Sequence, residues 1–255
     1  MKMRFVKIGL IAIFSVALIA CETLKGNSDE RGESKLSARA RSHTELGAAY
    51  FQQNKLEIAL DEVKYAAQID PNYAQAYNGL GLVYAALGED AKADGNFKKA
   101  IQVEPRNSES HNNYGSFLCA RKRYDESITH FLEAVKNPLY ATPNLAYANA
   151  GICSIRKNDT KNAEIYLTKA LQIEPLTHPA AIQLADIQLK RGDASTANKT
   201  LQNALFSAPG SDTLWLGIKI ARALDDKNSE ASYALQLRQQ YPNSEQARML
   251  LSGQK

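Results

Sequence analysis

The stretch Tyr77-Asn78-Gly79-Leu80-Gly81-Leu82-Val83-Tyr84-Ala85-Ala86-Leu87-Gly88 is followed by Ala93, Phe97, Ala100 and a closing Pro105. Thirty-four residues earlier the same residue types recur as Leu46-Gly47, Tyr50, Asn54, Ala59, Val63, Ala66 and Pro71. Thirty-four residues later come Tyr114-Gly115, Leu118, Phe131 and Ala134; Ala150-Gly151 follows at a spacing of 36, with Ala163, Leu167, Ala170 and Pro175 behind it. A glycine inside a helix costs about 1 kcal/mol relative to alanine. Four glycines kept in step therefore need a packing reason. Without a Cβ each lets a first helix approach a second one closely, and Ala59, Ala93 and Ala163 are expected to meet them there. Asn54, Gly88, Asn158 and Gly192 share one slot between the helices, where a left-handed residue ends a helix readily. Lys122 and Asp226 hold that slot in the third and sixth units and signal the turn less well. The closing prolines cannot continue a helix and divide one unit from the next.

A period near 34 with this order of residue types is the pattern of tetratricopeptide repeats. The expected fold is all-α, a superhelical solenoid of six such helix-turn-helix units over residues 40–243. Their bounds are about 40–73, 74–107, 108–143, 144–177, 178–211 and 212–243. The fifth keeps the spacing through Leu184, Ala185, Ala197, Leu201, Ala204 and Pro209, with alanine for glycine. In the sixth, Trp215, Ile218, Ala231 and Leu235 fit, but Lys219 falls in the glycine slot and Pro242 arrives one residue early. Terminal repeats are often atypical because one face meets water, and residues 244–255 are expected to add a capping turn. Such a stack builds a surface that holds another protein.

The amino-terminal segment has a different character. Lys2, Arg4 and Lys7 precede an apolar run from Ile8 to Ala20, too short for a bilayer span of about 20 residues. This is the layout of a secretory signal. Leu18-Ile19-Ala20-Cys21 resembles the lipobox of bacterial lipoproteins, which implies acylation of Cys21 and removal of residues 1–20. Glu22, in place of an aspartate, points by that family's sorting rule to the periplasmic face of the outer membrane. Residues 21–39 are polar, with little beyond Leu24 and Leu36 to bury, and are read as a flexible tether. Its reach of roughly 25 Å would let the repeats hang near the membrane without lying on it.

Three of the 31 basic residues, and none of the 27 acidic ones, lie in the signal segment, so the remainder is almost neutral. No basic stripe suggests nucleic acid. The four histidines stand at no metal-ligand spacing, and His43 and His111 share a helix position with Tyr77, Tyr147 and Trp215. No phosphate loop, nucleophile elbow or Cys-x-x-Cys occurs. An enzymatic role, a cofactor and a metal are therefore not expected. Cys119 and Cys153 fall near the ends of first helices in neighbouring units. In an oxidising compartment they would pair, clamping the connection Asn137–Asn144; the alternative is two small buried apolar residues.

First helices line the inner curve of such stacks. There the expected partner-facing residues are Phe51, Asn78, Leu82, Asn112, Ile152, Ile155 and Arg156. Asparagine offers both donor and acceptor to a peptide backbone, and Phe51 with Leu82 would form an apolar patch. The same two residues could instead serve only to pack neighbouring helices.

As a whole the chain resembles the type IV pilus biogenesis lipoproteins called PilF or PilW, the pilotins. The resemblance rests on Leu18-Ile19-Ala20-Cys21, on Tyr77-Asn78-Gly79-Leu80-Gly81, on the run from His111 to Cys119 and on Trp215-Leu216-Gly217-Ile218. It implies a monomeric scaffold that binds a subunit of the pilus secretin and helps it reach the outer membrane and form its ring. An adaptor for cell-wall hydrolases, proteases or another secretion machine would share the same anchor and repeats.

Overall fold

The structure is a computed structural model and describes residues 34–207 and 209–253. Cys21 and the export segment lie outside them. Among the described residues there are thirteen helices and no strand: α1 (Lys35–Gln52), α2 (Leu56–Ile69), α3 (Ala74–Ala86), α4 (Asp90–Val103), α5 (Ser108–Ala120), α6 (Tyr124–Ala134), α7 (Pro143–Arg156), α8 (Thr160–Ile173), α9 (His178–Lys190), α10 (Ala194–Phe206), α11 (Ser211–Ala223), α12 (Lys227–Gln240) and α13 (Glu245–Leu251). They form six consecutive hairpins and a final short helix.

Helix α1 begins inside the segment read as tether. Ser34 caps it by accepting from the Ser37 backbone N–H at 3.0 Å, the bond an N-terminal serine supplies to an orphan donor. Ser37 also donates to Asp70 at the end of α2, and Ala40 is fully buried. Polarity misled the sequence reading because these residues are held by capping and hydrogen bonding more than by apolar burial.

The glycines have the expected role with a different partner. A methyl group added to Gly81 would lie 2.6 Å from the Phe97 ring, on Gly47 2.7 Å from Val63, on Gly115 2.9 Å from Phe131 and on Gly151 2.6 Å from Leu167. The bulky residue sixteen positions on thus lies over each glycine. Ala59 and Ala163 present only backbone carbonyls, at 3.2 and 3.3 Å. The alanine side chains serve the next unit instead: Ala59 shares a buried cluster with Leu80, and Ala93 with Tyr114. Gly81→Ala is expected to lower stability by about 1–3 kcal/mol despite alanine's better helix propensity, because the ring must move. Gly95, within α4, has nothing within 4 Å of an added methyl, so Gly95→Ala should stabilise by about 0.5–1 kcal/mol. Paired urea titrations test this, and shifts of the same sign would show that helix propensity alone sets these positions.

The turn slot is kept in every hairpin. Asn54, Gly88, Lys122, Asn158, Gly192 and Asp225 all have positive φ. Lys122, at +62°, adopts the conformation despite its Cβ. In the last hairpin the residue is Asp225, not Asp226, because the sixth unit is set 33 residues after the fifth. That offset corrects the remaining register. Ala231 and Leu235 are exposed, and Leu237 is the fully buried residue of α12. Lys219 is not at the close approach and reaches Asp186 at 3.6 Å. With this spacing buried Ile218 takes the place of the glycine and Ala234 that of Leu201, so the bulk has moved from the second helix to the first. Ser244 caps α13, which packs on α11 and α12 through Ala247 and forms the expected end cap.

His111 lies beside His130 and Gly115 beside Ser127, so the helices of a hairpin run antiparallel. Asn112 meets Asn149, and Cys119 meets Cys153, so first helices run parallel to each other. Each first helix touches the next first helix, from α1 through α11, whereas no second helix touches the next second helix. The first helices therefore form the inner wall of the curve, and every link between units lies on one edge.

Candidate binding groove

On the inner wall, α1 and α3 leave a hollow of about 240 Å³ lined by Thr44, Phe51, Tyr73, Asn78 and Leu82, among others, with Glu109 of α5 at its side. Phe51 and Leu82 are half-buried. Phe51 packs on the cluster of Ala59, Val63, Leu80 and Val83, and Leu82 on that of Phe97 and Tyr114. Each therefore has both a packing surface and a face toward the hollow. A mostly apolar concavity with a few polar groups is the usual form of a binding site.

The asparagines are engaged with one another. Asn113 donates to Asn78 Oδ1 at 3.3 Å, and Asn149 donates to Asn112 Oδ1 at 3.1 Å. Each bond joins neighbouring first helices. Asn78 is also buried, so its backbone-gripping role is reduced to whatever its amide nitrogen can still offer. Sequence reasoning missed Asn113 and Asn149; the doubled Asn112-Asn113 was the available signal, one residue facing each neighbour. The remaining candidates fall elsewhere. Ile155 and Ile187 pack on the cluster of Ala148, Leu167 and Leu184 and line a separate hollow formed by α7, α8 and α9, Ile152 is half-buried, and Arg156 is exposed with Nη1 3.9 Å from Cys119 Sγ.

Behind the wall sits a half-buried polar network. Tyr114 donates to Asp94 Oδ1 at 2.8 Å, and Arg123 and Lys98 reach the same carboxylate at 2.6 Å. Burial pushes Asp94 up, but these bonds hold it at about 2. His111 Nε2–H donates to the Pro105 carbonyl at 3.1 Å, and His111 Nδ1 lies 2.9 Å from His130 Nδ1. In the neutral pair His130 is thus the Nδ1 donor. Burial, then the neighbouring His111, pushes His130 down to about 4. The folded state resists a proton that the unfolded chain accepts at pH about 6.5. Its stabilising effect is therefore full above pH 6.5 and declines as the pH falls toward 4, by about 2–3 kcal/mol. Urea midpoints at pH 7.5 and 4.5 measure this, and His130→Phe should flatten the difference. Asp94, which protonates lower still, does not contribute in that window.

Cys119 and Cys153 form a disulfide with Cα atoms 5.9 Å apart, joining α5 to α7. Among the described residues no cluster of metal ligands occurs and no helix is long and apolar enough to cross a membrane.

Tetratricopeptide families match residues 47–88, 74–107, 96–129 and 145–175. The type IV pilus assembly protein PilF of Pseudomonas aeruginosa is 31% identical over 243 residues, which cover 94% of this chain and 95% of that one. The chain belongs to the PilF/PilW family of type IV pilus biogenesis proteins. The solved structure of Pseudomonas aeruginosa PilF superposes with a TM-score of 0.76 at 29% identity, covering 86% of this chain and all of that one. That of PilW, described as a widely conserved type IV pilus biogenesis factor, gives 0.72 at 31% over the same shares. A Haemophilus influenzae protein of unassigned role is 27% identical over 135 residues, covering 53% of this chain and 75% of its own. PilF and PilW thus share the described solenoid from end to end, and as a tetratricopeptide protein of this family the chain mediates protein–protein contacts in pilus biogenesis.

Proposed function

We propose that this chain is a lipid-anchored pilotin: it binds a subunit of the type IV pilus secretin and carries it to the periplasmic face of the outer membrane, where the ring assembles. The reading is carried by kinship with PilF along nearly the whole chain, and the hollow of Phe51, Asn78 and Leu82 supplies a place to grip. Acylated Cys21 would provide the anchor. Tethering raises the local concentration of clients, so that subunits meet more often on the membrane. The repeats need no cofactor for this and no nucleic acid.

Two variants test it. Cys21→Ser should leave a folded protein and a mislocalised secretin; normal secretin placement would refute the carrier role. Leu82→Arg should weaken secretin co-purification while leaving the fold intact by circular dichroism. Photocrosslinking from position 82 that captured a cell-wall hydrolase or a protease instead of the secretin would transfer the scaffold to the adaptor reading.

A further inference from the structure

We infer that the link edge of the solenoid rests on a lipid bilayer, through apolar tips in the links after the third, fourth and fifth units. This rests on the anchor reading for Cys21 but concerns a different surface. In the link between α6 and α7, Leu139 is 89% exposed; between α8 and α9, Leu176 is 54% exposed; and at the end of α10, leading into α11, Phe206 is 84% exposed. Ile173 and Leu145, beside the first two tips, are exposed as well. These side chains occur in consecutive links, and parallel first helices bring consecutive links to one edge. The links nearest the amino terminus differ: their exposed residues are Pro71 and Asn72, then Glu104, Pro105 and Arg106.

The chain's own topology names the occupant. Every first helix starts at the link edge, and so does α1, whose cap is Ser34. The anchor cysteine therefore joins the solenoid on the side where the apolar tips stand. Twelve residues lie between Cys21 and Ser34, a span whose reach is at most roughly 45 Å. Neighbouring first helices sit about 8–10 Å apart, so the tips begin roughly 30 Å along the edge from α1. A molecule held at one end by acyl chains can lie down on this edge, with the polar near links under the tether and the apolar far links dipping into the headgroup layer. Bulky apolar side chains presented singly by loops gain by entering that interface. The inner wall then stands upright, at right angles to the bilayer and open to a client beside it. The domain does not hang free of the membrane.

The test places a tryptophan at the tips. Phe206→Trp and Leu139→Trp in the chain from residue 22 onward, each carrying a hexahistidine in place of the acylated cysteine, are held on phosphatidylethanolamine–phosphatidylglycerol vesicles containing brominated acyl chains and a nickel-chelating lipid. Lys161→Trp, exposed at the start of α8 on the opposite edge, is the control, and Trp215, the chain's own tryptophan, gives the constant background. Tip fluorescence should fall at least twofold relative to unbrominated vesicles while the Lys161→Trp signal is unchanged. Equal signals at all three positions, with the protein bound, would overturn the edge contact and leave the tips to a protein partner. The nickel attachment makes this independent of acylation. Acylation is read separately, by whether the untagged native chain floats with vesicles and the Cys21→Ser chain does not.

Discussion

Phe97→Ala is expected to be among the most damaging single changes in this solenoid, costing about 3–5 kcal/mol. Phe97 is fully buried and lies 5.5 Å, centroid to centroid, from both Tyr114 and Phe117. It also lies over Gly81, which has no side chain to move into the space. The cavity would therefore open against bare backbone and collapse poorly. Two units would feel the loss, because the ring belongs to the second hairpin and its aromatic neighbours to the third. Hydrogen exchange should show loosening of α3 to α6 before α9 to α12, as expected where each repeat leans only on its neighbours. The Gly81→Ala change offers a sharp control. Harmful beside Phe97, it should become neutral or helpful once the ring is gone, giving a coupling energy of opposite sign to the single effect. Additive effects in that double mutant would show that the ring does not set the glycine.

Reduction of the Cys119–Cys153 bond should cost about 3–4 kcal/mol, the loop-closure value for a crosslink across 34 residues in the chain-entropy account. The bond sits where the array is most irregular. Helix α6 ends at Ala134, and the link to α7 runs for eight residues, 135–142, where every other link between units has four. Without the sulfur bridge, that joint is the natural place for the first three units to swing relative to the last three. Urea unfolding with and without reductant measures the loss, and Cys119→Ala with Cys153→Ala should match the reduced protein. An unchanged midpoint would mean that packing of Phe131, Ala150 and Tyr166 alone holds the joint.

Much of this architecture was legible because steric demands leave a mark on sequence. Gly47, Gly81, Gly115 and Gly151 are glycines because a methyl group there would collide with a residue on the facing helix, so the spacing reports contact directly. The partner was misread because the alanines at the twelve-residue offset recur just as faithfully, for the next unit's benefit. Lys122 signalled its left-handed backbone poorly, since that conformation is held by the bonds closing α5, from Lys122 N–H to the Cys119 carbonyl and from Arg123 N–H to the Leu118 carbonyl, and not by its side chain. The sixth unit lost its register because Ile218 and Ala234 exchange large for small, a swap that keeps the packing while erasing the glycine. Ser34 to Arg39 looked like tether because a capped helix start is as polar as a linker. In the groove, Phe51, Asn78 and Leu82 were found together because first-helix periodicity places them so. Asn113 and Asn149 were missed because hydrogen bonds between neighbouring helices leave no apolar period.

The end helix also has an architectural consequence. A further copy of the hairpin, stacked beyond α12, would meet a side already occupied by α13. The molecule thus carries its own terminator. A second copy docking end to end would first have to displace this short helix, so the stack stays at six hairpins while α13 is seated.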